Sequence, residues 1–343
     1  MPRLNDVFLV GVVADIPSVK RDAAGKIVQL ALPIFVAHGE RSSSEKLITG
    51  NYDRKDIKNR GDSIVYLLTG NEEITEKMAA CKTYDIVEVK GVLRVRPVTK
   101  KSICPECGAK HLYPSTKTTV YPQYFALRES LAAKYGVSDF AIGAVSETLL
   151  NRIEKEAWDK LGACVEISDL VKLIGVICRE PELYQKDGSN LPILTFPLAV
   201  KRHYYIGEDA EDIKADFPYI KIYGSQAVQQ QAVLSRANLI MIDGYLQTRS
   251  IIRKIVCENC DTAYRLSEQV TEVVPHFVEY IRSNISDTEF TKGERPYQPR
   301  VIGSEADIDL ALSAEERADS NIASGAGGLG YDEDIARILD TLE

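Results

Sequence analysis

A stretch near the start of the chain returns, almost unchanged in pattern, 164 residues later. Val7–Pro17 (VFLVGVVADIP) reappears as Val171–Pro181 (VKLIGVICREP), with Leu9/Leu173, Gly11/Gly175 and Pro17/Pro181 identical. The register still holds where Leu32–Val36 meets Phe196–Val200. Further on the offset shortens to 153, which brings Cys104-Pro105-Glu106-Cys107 onto Cys257-Glu258-Asn259-Cys260 and Val120-Tyr121-Pro122 onto Val273-Val274-Pro275. Internal similarity on this scale predicts two copies of one domain, from about Leu4 to Ala126 and from about Ser168 to Ile281. The 343 residues suffice for two cores of ordinary size.

Within each copy the apolar residues fall in short alternating or continuous runs, the pattern of strands. The first copy offers Val7–Val13, Ile27–Val36, Ile64–Leu68, Ile86–Val95 and Thr118–Phe125. The second offers Leu170–Ile177, Ile193–Val200, Tyr219–Tyr223, Leu239–Thr248 and Val270–Val278. A helical stretch separates the third strand from the fourth in both, at Glu73–Cys81 and Gln226–Ser235. Five strands with a helix at that point, and no βαβ alternation, predict an all-β fold of two tandem small barrels with OB-fold connectivity.

Between the copies, Ser138-Asp139 can cap a helix carrying Phe140, Ile142, Val145, Leu149, Ile153 and Trp158 at helical spacing. Trp158 reads there as a packing residue. After Ser283 a polar stretch leads through the Gly-rich 324–330 segment to Ile335, Ile338, Leu339 and Leu342, one face of a short amphipathic helix. The expected organisation is barrel one over 1–127, helical connector over 128–166, barrel two over 167–283 and a flexible acidic tail over 284–343.

The net charge of −8 conceals an asymmetry. From Val301 onward eleven acids face two arginines, so the tail carries −9 and the body balances at +1. No apolar run approaches the ~20 residues of a membrane helix, and Met1–Asp6 lacks a signal-peptide pattern, so a soluble cytoplasmic protein without membrane contact is expected. Of the seven cysteines, Cys81, Cys164 and Cys178 sit among apolar neighbours and read as small buried hydrophobes.

Copy two also contains Tyr219–Val228 (YIKIYGSQAV), then Asn238–Arg249 (NLIMIDGYLQTR). An apolar strand ending aromatic-Gly, a helix, and a strand ending Gly-x-Leu-x-Thr-Arg resemble the bacterial single-stranded DNA-binding protein family. Val171–Pro181 resembles that family's opening strand and Phe196–Val200 its second. Copy one keeps the frame in Tyr66–Gly70 and Val89–Arg96, with Thr69 in the aromatic's place. The resemblance implies OB-folds that coat and protect single-stranded DNA without catalysis, in replication, recombination or mobile-element DNA transfer. Such binding requires aromatics to stack bases and cations to meet phosphates. Candidates are Lys201, Arg202, Tyr204, Tyr205, Phe217, Tyr219, Tyr223, Arg249 and Arg253 in copy two, and Tyr52, Tyr66, Arg94 and Arg96 in copy one. Family members often work as four OB-folds, so the resemblance implies a homodimer. It also implies that the tail, through Asp332, Glu333, Asp334, Ile335, Ile338 and Leu339, docks replication or recombination partners, although the chain ends Leu342-Glu343 where the family ends Pro-Phe.

Each CxxC pair lies between the fourth and fifth strands of its copy. Two thiolates supply half of a structural zinc site. His111 is a possible third ligand in copy one, but its counterpart in copy two is Tyr264. The simpler arrangement is one shared zinc site of Cys104, Cys107, Cys257 and Cys260, within one chain or across two. A redox dithiol lacks the expected βαβ surroundings. No HExxH, GxSxG or P-loop appears, so no catalytic residues and no enzyme are expected. The alternative is an OB-fold interaction scaffold with a structural zinc and little affinity for nucleic acid.

Overall fold

The computed structural model describes residues 4–38, 63–138, 140, 144–184, 192–202, 206 and 213–283. Its strands are β1 (Leu4–Val13), β2 (Ser18–Arg21), β3 (Ile27–Val36), β4 (Ser63–Thr69), β5 (Ile86–Ile103), β6 (Lys110–Glu129), β7 (Asp169–Ile177), β8 (Glu182–Tyr184), β9 (Ile193–Lys201), β10 (Ala215–Asp216), β11 (Tyr219–Tyr223), β12 (Leu239–Val256) and β13 (Ala263–Arg282). β1, β3, β4, β6 and β5 close a ring in that order, antiparallel except where β4 meets β6. β7, β9, β11, β13 and β12 close a second ring in the same order, parallel only where β11 meets β13. A helix separates the third barrel strand from the fourth in each, Glu72–Ala79 and Ser225–Gln231. This is the OB-fold connectivity, twice.

Alternation of side chains builds the interiors. Val7, Leu9, Leu32, Ile34, Leu67, Val89 and Leu93 point into the first barrel, and Val171, Leu173, Phe196, Leu198, Ile220, Ile242 and Leu246 into the second. Each such side chain, fully buried, contributes roughly 1.5–3 kcal/mol. Gly91 and Gly244 mark the bulges at which β5 and β12 bend around the barrel. A Cβ at either would sit 2.3 Å from a carbonyl oxygen, of Tyr121 and Val274 respectively. Because the obstacle is backbone, it cannot swing aside. Gly244→Ala is therefore expected to destabilise the second barrel by about 1–3 kcal/mol or more, read as a lower denaturation midpoint.

β1 and β7 pair antiparallel from Leu4↔Ile174 to Leu9↔Asp169, so the barrels share one continuous sheet ordered β6-β5-β1-β7-β12-β13. The pairing hides from solvent the strand edges that the two barrels would otherwise present. Asn5 and Asp169 occupy equivalent places in this seam. Asn5 donates Nδ2–H to the Leu93 carbonyl and accepts from the Leu93 amide, both at 2.8 Å. Asp169 accepts from the Leu246 amide at 3.0 Å, while its Oδ1 is buried without a hydrogen-bond partner. Between the barrels, the Val95 amide donates to Asp216 Oδ1 at 2.8 Å, the Thr248 amide to Ser63 Oγ at 2.9 Å and the Thr248 hydroxyl to the Ile64 carbonyl at 2.8 Å.

Two expectations need correction. The connector helix runs Glu147–Ala163 and is capped by Ser146, whose side chain accepts from the Leu149 amide; Ser138 does not cap it. Both serines have the required chemistry, and packing selects between them. From Ser146 the helix lays Ile153, Ala157 and Leu161 over Val10, Val12 and Ile86 on the outer face of the shared sheet, and Trp158 meets Phe35 edge-on at 5.0 Å. The fourth and fifth strands of each barrel are also far longer than the apolar runs suggested. They continue beyond the barrel as paired hairpin arms, because each arm packs against the other.

Candidate metal centre and nucleic-acid interface

Each arm ends in a turn of the same construction. The Cys104 amide donates to the Ala109 carbonyl at 2.9 Å and the Gly108 amide to the Cys104 carbonyl at 3.0 Å. At the other tip the Cys257 amide donates to the Thr262 carbonyl and the Asp261 amide to the Cys257 carbonyl, both at 2.9 Å. Gly108 and Asp261 hold equivalent left-handed positions, with φ of 70° and 55°. Asp is one of the few residues with a side chain that adopts this conformation readily, so the second tip needs no glycine.

The tips meet. The sulfurs of Cys104, Cys107, Cys257 and Cys260 all lie within 4.8 Å of one another. Cys104 Sγ is 3.7 Å from Cys260 Sγ, and Cys107 Sγ is 3.5 Å from Cys257 Sγ. Four sulfurs about 2.3 Å from a central zinc define a tetrahedron with edges of about 3.8 Å, so both the donor set and the spacing fit that ion. The four cysteines come from a single chain. His111 stands outside the sulfur set, with Nε2 3.2 Å from Cys257 Sγ, where it can orient the sulfur. Its counterpart Tyr264 bonds through its hydroxyl to Ser102 Oγ at 2.7 Å.

Local hydrogen bonding sets the two exposed thiols apart. Hydrogen bonds from the side chain and backbone of Thr262, followed by Cys257, draw the Cys260 thiol down to about 6. The Ala109 backbone favours a thiolate at Cys107, but hydrogen bonds with Cys257, Cys260 and Cys104 together with desolvation outweigh it and push that thiol up to about 12.

Below the tips the facing sides of the arms are stitched by buried charge. Glu268 receives Lys100 at 2.9 Å and also bonds Arg253 and Ser115. Glu272, whose partners all belong to the second copy, receives Lys221 at 2.9 Å and Arg249 at 2.8 Å. Burial pushes both carboxyls up, but the cations win and hold them below the ordinary carboxylate range. Arg253 also lies over the Tyr113 ring at 5.7 Å. At the base of the first arm Arg96 stands directly across from Lys117. Burial, then Lys100 and Arg94, push the Lys117 amine down to about 7.

This arrangement redistributes the residues singled out from sequence. Arg249 and Arg253 are held by buried acids. Arg202 is held by Asp216, at 2.5 and 2.6 Å, with 4 % of its side chain exposed. Arg94 and Phe217 are buried. Lys201, Tyr66, Tyr219, Tyr223 and Arg96 are half-buried on the barrels and their rims, and the Tyr223 hydroxyl donates to Gln247 Oε1 at 3.2 Å. Tyr52, Tyr204 and Tyr205 lie outside the described residues, as do the tail residues Asp332, Glu333, Asp334, Ile335, Ile338 and Leu339.

Besides Lys254, which the sequence already places among the cations past the fourth strand of copy two, the arms carry exposed cations that sequence reading did not place at the site. Lys101 pairs across from Leu112, Lys110 from Ile103, and Lys254 from Arg265. All six are exposed on the outer faces. A like-charged pair directly opposed on a strand ladder is unfavourable by itself, so Lys254 and Arg265 suit an anionic partner better than they suit the fold. The signal was present as strand parity, but only once the arms were known to be strands.

Two closed barrels of this connectivity, extended by clasped basic arms, make the molecule a tandem OB-fold protein. The model of the single-strand binding protein family matches residues 169–269. The single-stranded DNA-binding protein of Clostridium tetani (strain Massachusetts / E88) is 35 % identical over 111 residues, covering 32 % of this chain and 68 % of that protein. Single-stranded DNA-binding protein 2 of Clostridium acetobutylicum is 30 % identical over 122 residues, covering 34 % of this chain and 83 % of that one. The crystal structure of the wild-type single-stranded DNA binding protein from Thermus aquaticus aligns with 84 % of this chain and 97 % of its own, at 15 % identity and a TM-score of 0.46. This chain belongs to the single-strand binding protein family. No helix among the described residues is long and apolar enough to cross a membrane.

Proposed function

We propose that the protein binds single-stranded DNA without catalysis, along the barrels and the outer faces of the paired arms, and protects it during replication, recombination or mobile-element transfer. Family membership is the observation that carries this reading. The placement of Lys101, Lys110, Lys254 and Arg265 beside exposed apolar side chains supports the arms as part of the path, since single strands are held by cations for phosphates and flat or apolar surface for bases. Lys201, Arg96, Tyr66, Tyr219 and Tyr223 extend the same path over the barrels.

The test is fluorescence titration with oligo-dT across a salt series. The double variant Lys254→Glu/Arg265→Glu is expected to lose about tenfold or more in affinity at low salt. Its log–log salt slope should flatten by about 1.4, because each phosphate neutralised on a single strand adds about 0.7 to that slope and the variant leaves two of them without a cation. An unchanged titration removes the arms from the path. Absence of binding by the unaltered protein at low salt overturns the reading in favour of an interaction scaffold.

The four sulfurs are proposed to hold one structural zinc per chain, which would join the arms and supply no open coordination position for chemistry. A homodimer of four OB-folds is proposed as well. On the shared sheet the connector helix covers Val10, Val12 and Ile86, while the equivalent Ile174, Val176 and Leu239 form a small cluster of their own in which Val176 and Leu239 are buried and Ile174 is partly exposed. Phe277, 54 % exposed, stands on β13 across from Asp243 of β12, and its counterpart Tyr124, 48 % exposed, on β6 across from Lys90. The acidic tail is proposed to dock replication or recombination proteins.

A further inference from the structure

We propose that the four-cysteine cluster is also a peroxide-reactive site that oxidises to two disulfides across the arms, Cys104–Cys260 and Cys107–Cys257, so that the clasp outlasts the loss of a metal. Each tip contributes one buried and one exposed cysteine: Cys104 and Cys257 are buried, Cys107 and Cys260 exposed. An exposed thiolate meets an oxidant first. The sulfurs of the exposed pair face the buried cysteines across the arms, Cys107 to Cys257 at 3.5 Å and Cys260 to Cys104 at 3.7 Å. Each attacking cysteine therefore has a resolving partner on the opposite arm.

The chemistry balances with hydrogen peroxide as the oxidant. The exposed thiolate attacks one peroxide oxygen and the O–O bond breaks, leaving a sulfenic acid and hydroxide. The buried thiolate then attacks the sulfenic sulfur. The S–S bond forms, the S–O bond breaks, and a second hydroxide leaves and is protonated to water. Each peroxide accepts two electrons from two thiols and yields two waters, so two peroxides convert the whole cluster. A bound divalent ion would be released, because disulfide sulfur is a poor ligand. The positions of the sulfurs permit this oxidation whether or not the site carries zinc. Cys81 provides an internal comparison: burial, with a smaller contribution from Asp85, pushes its thiol up to about 12, so it should stay reduced.

The bonded residues stand 156 and 150 positions apart in sequence, which makes the product easy to tell from a disulfide within one CxxC. The full-length protein is titrated with hydrogen peroxide, as purified and after reduction and chelator stripping. Free thiols are alkylated, disulfide-linked peptides are mapped by mass spectrometry, and released zinc is read with a chromophoric chelator. The expected result in both preparations is the Cys104–Cys260 and Cys107–Cys257 peptides, faster migration on a non-reducing gel, and reversal by dithiothreitol. Disulfides within each CxxC, bonds between chains, or oxidation to sulfinic acid without a disulfide would overturn the inference. Cross-arm disulfides from protein that never held zinc would leave it standing and overturn the metal reading instead.

Discussion

Replacing Asp169 by asparagine is expected to stabilise the protein, by a margin that grows with pH. Asp169 lies in the β1–β7 seam at the place that Asn5 occupies in the other half. The Asn5 amide both donates to and accepts from the Leu93 backbone. The Asp169 carboxylate can only accept, and one oxygen is left buried without a partner. Burial accordingly raises this carboxyl well above its ordinary range, against the smaller opposing pull of the Leu246 amide. A protonated acid can donate, as Asn5 does.

The sign follows from linkage. Below about pH 4 the carboxyl is protonated in both folded and unfolded chains, and its contribution is fully present. As pH climbs toward the raised folded value, the unfolded chain ionises while the folded one does not, and stability falls by up to about 1.4 kcal/mol per pH unit. Asp169→Asn removes that loss and the unsatisfied oxygen together. At pH 7.5 a gain of about 1–3 kcal/mol is expected, on the order of 5 °C in melting temperature, shrinking toward zero at pH 4. The reciprocal Asn5→Asp variant should show the opposite trend. Melting curves of the three proteins from pH 4 to 8 provide the check. A difference that is flat in pH would mean that Asp169 is ionised in the folded protein.

Zinc removal is the second large effect. Metal analysis of the purified protein is expected to give one zinc per chain, and Cys104→Ser to leave less than a tenth of that. Structural zinc binding is worth about 10–16 kcal/mol in small zinc-finger peptides. Here one apolar core runs continuously through both barrels and includes none of the four cysteines, so stripping the metal should loosen the arms and spare the barrels. Trypsin should then cut at Lys101, Lys110, Lys254 and Arg265 at least tenfold faster, while the far-UV signal of the barrels persists. Because the ligands must be deprotonated, zinc should also be lost as pH falls. A full complement of zinc in Cys104→Ser, or arms equally resistant with and without metal, would remove the cluster as the clasp.

Much of the fold can be read directly from residue pattern. Short apolar runs at Val7–Val13 and Leu170–Ile177, the helix between the third and fourth strands, and the Gly-x-Leu spacing at Gly244 are local features. A barrel needs them in that order whatever surrounds it. Gly244 is legible for a physical reason: the bulge brings the Val274 carbonyl to 2.3 Å from where a Cβ would be, so only glycine fits. The arms were legible only in part. The CxxC pairs marked their tips, but the shafts from Arg96 to Ser102 and from His111 to Lys117 lack a strand's alternating apolar pattern, because their inner faces bury charge and hydroxyl groups against the other arm.

The candidate DNA-binding residues show the same division more sharply. Lys201, Arg202, Arg249 and Arg253 look alike in sequence, each a cation just past an expected barrel strand. Their fates differ because Asp216, Glu272 and Glu268 reach three of them from elsewhere in the fold, and the identity of a long-range partner is not written near the residue it neutralises.

Sequence alone therefore determined the strand order, the family and the cysteine set, since each depends on residue type and spacing within one copy. Tertiary structure decided which cations face solvent, that the two CxxC tips close into one four-sulfur cluster within a single chain, and that Asp169 lies in a seam where only a neutral side chain is at ease. Those outcomes depend on what the second copy places opposite the first. Antiparallel pairing of β1 with β7 sets that opposition through backbone hydrogen bonds, which are available to nearly any sequence.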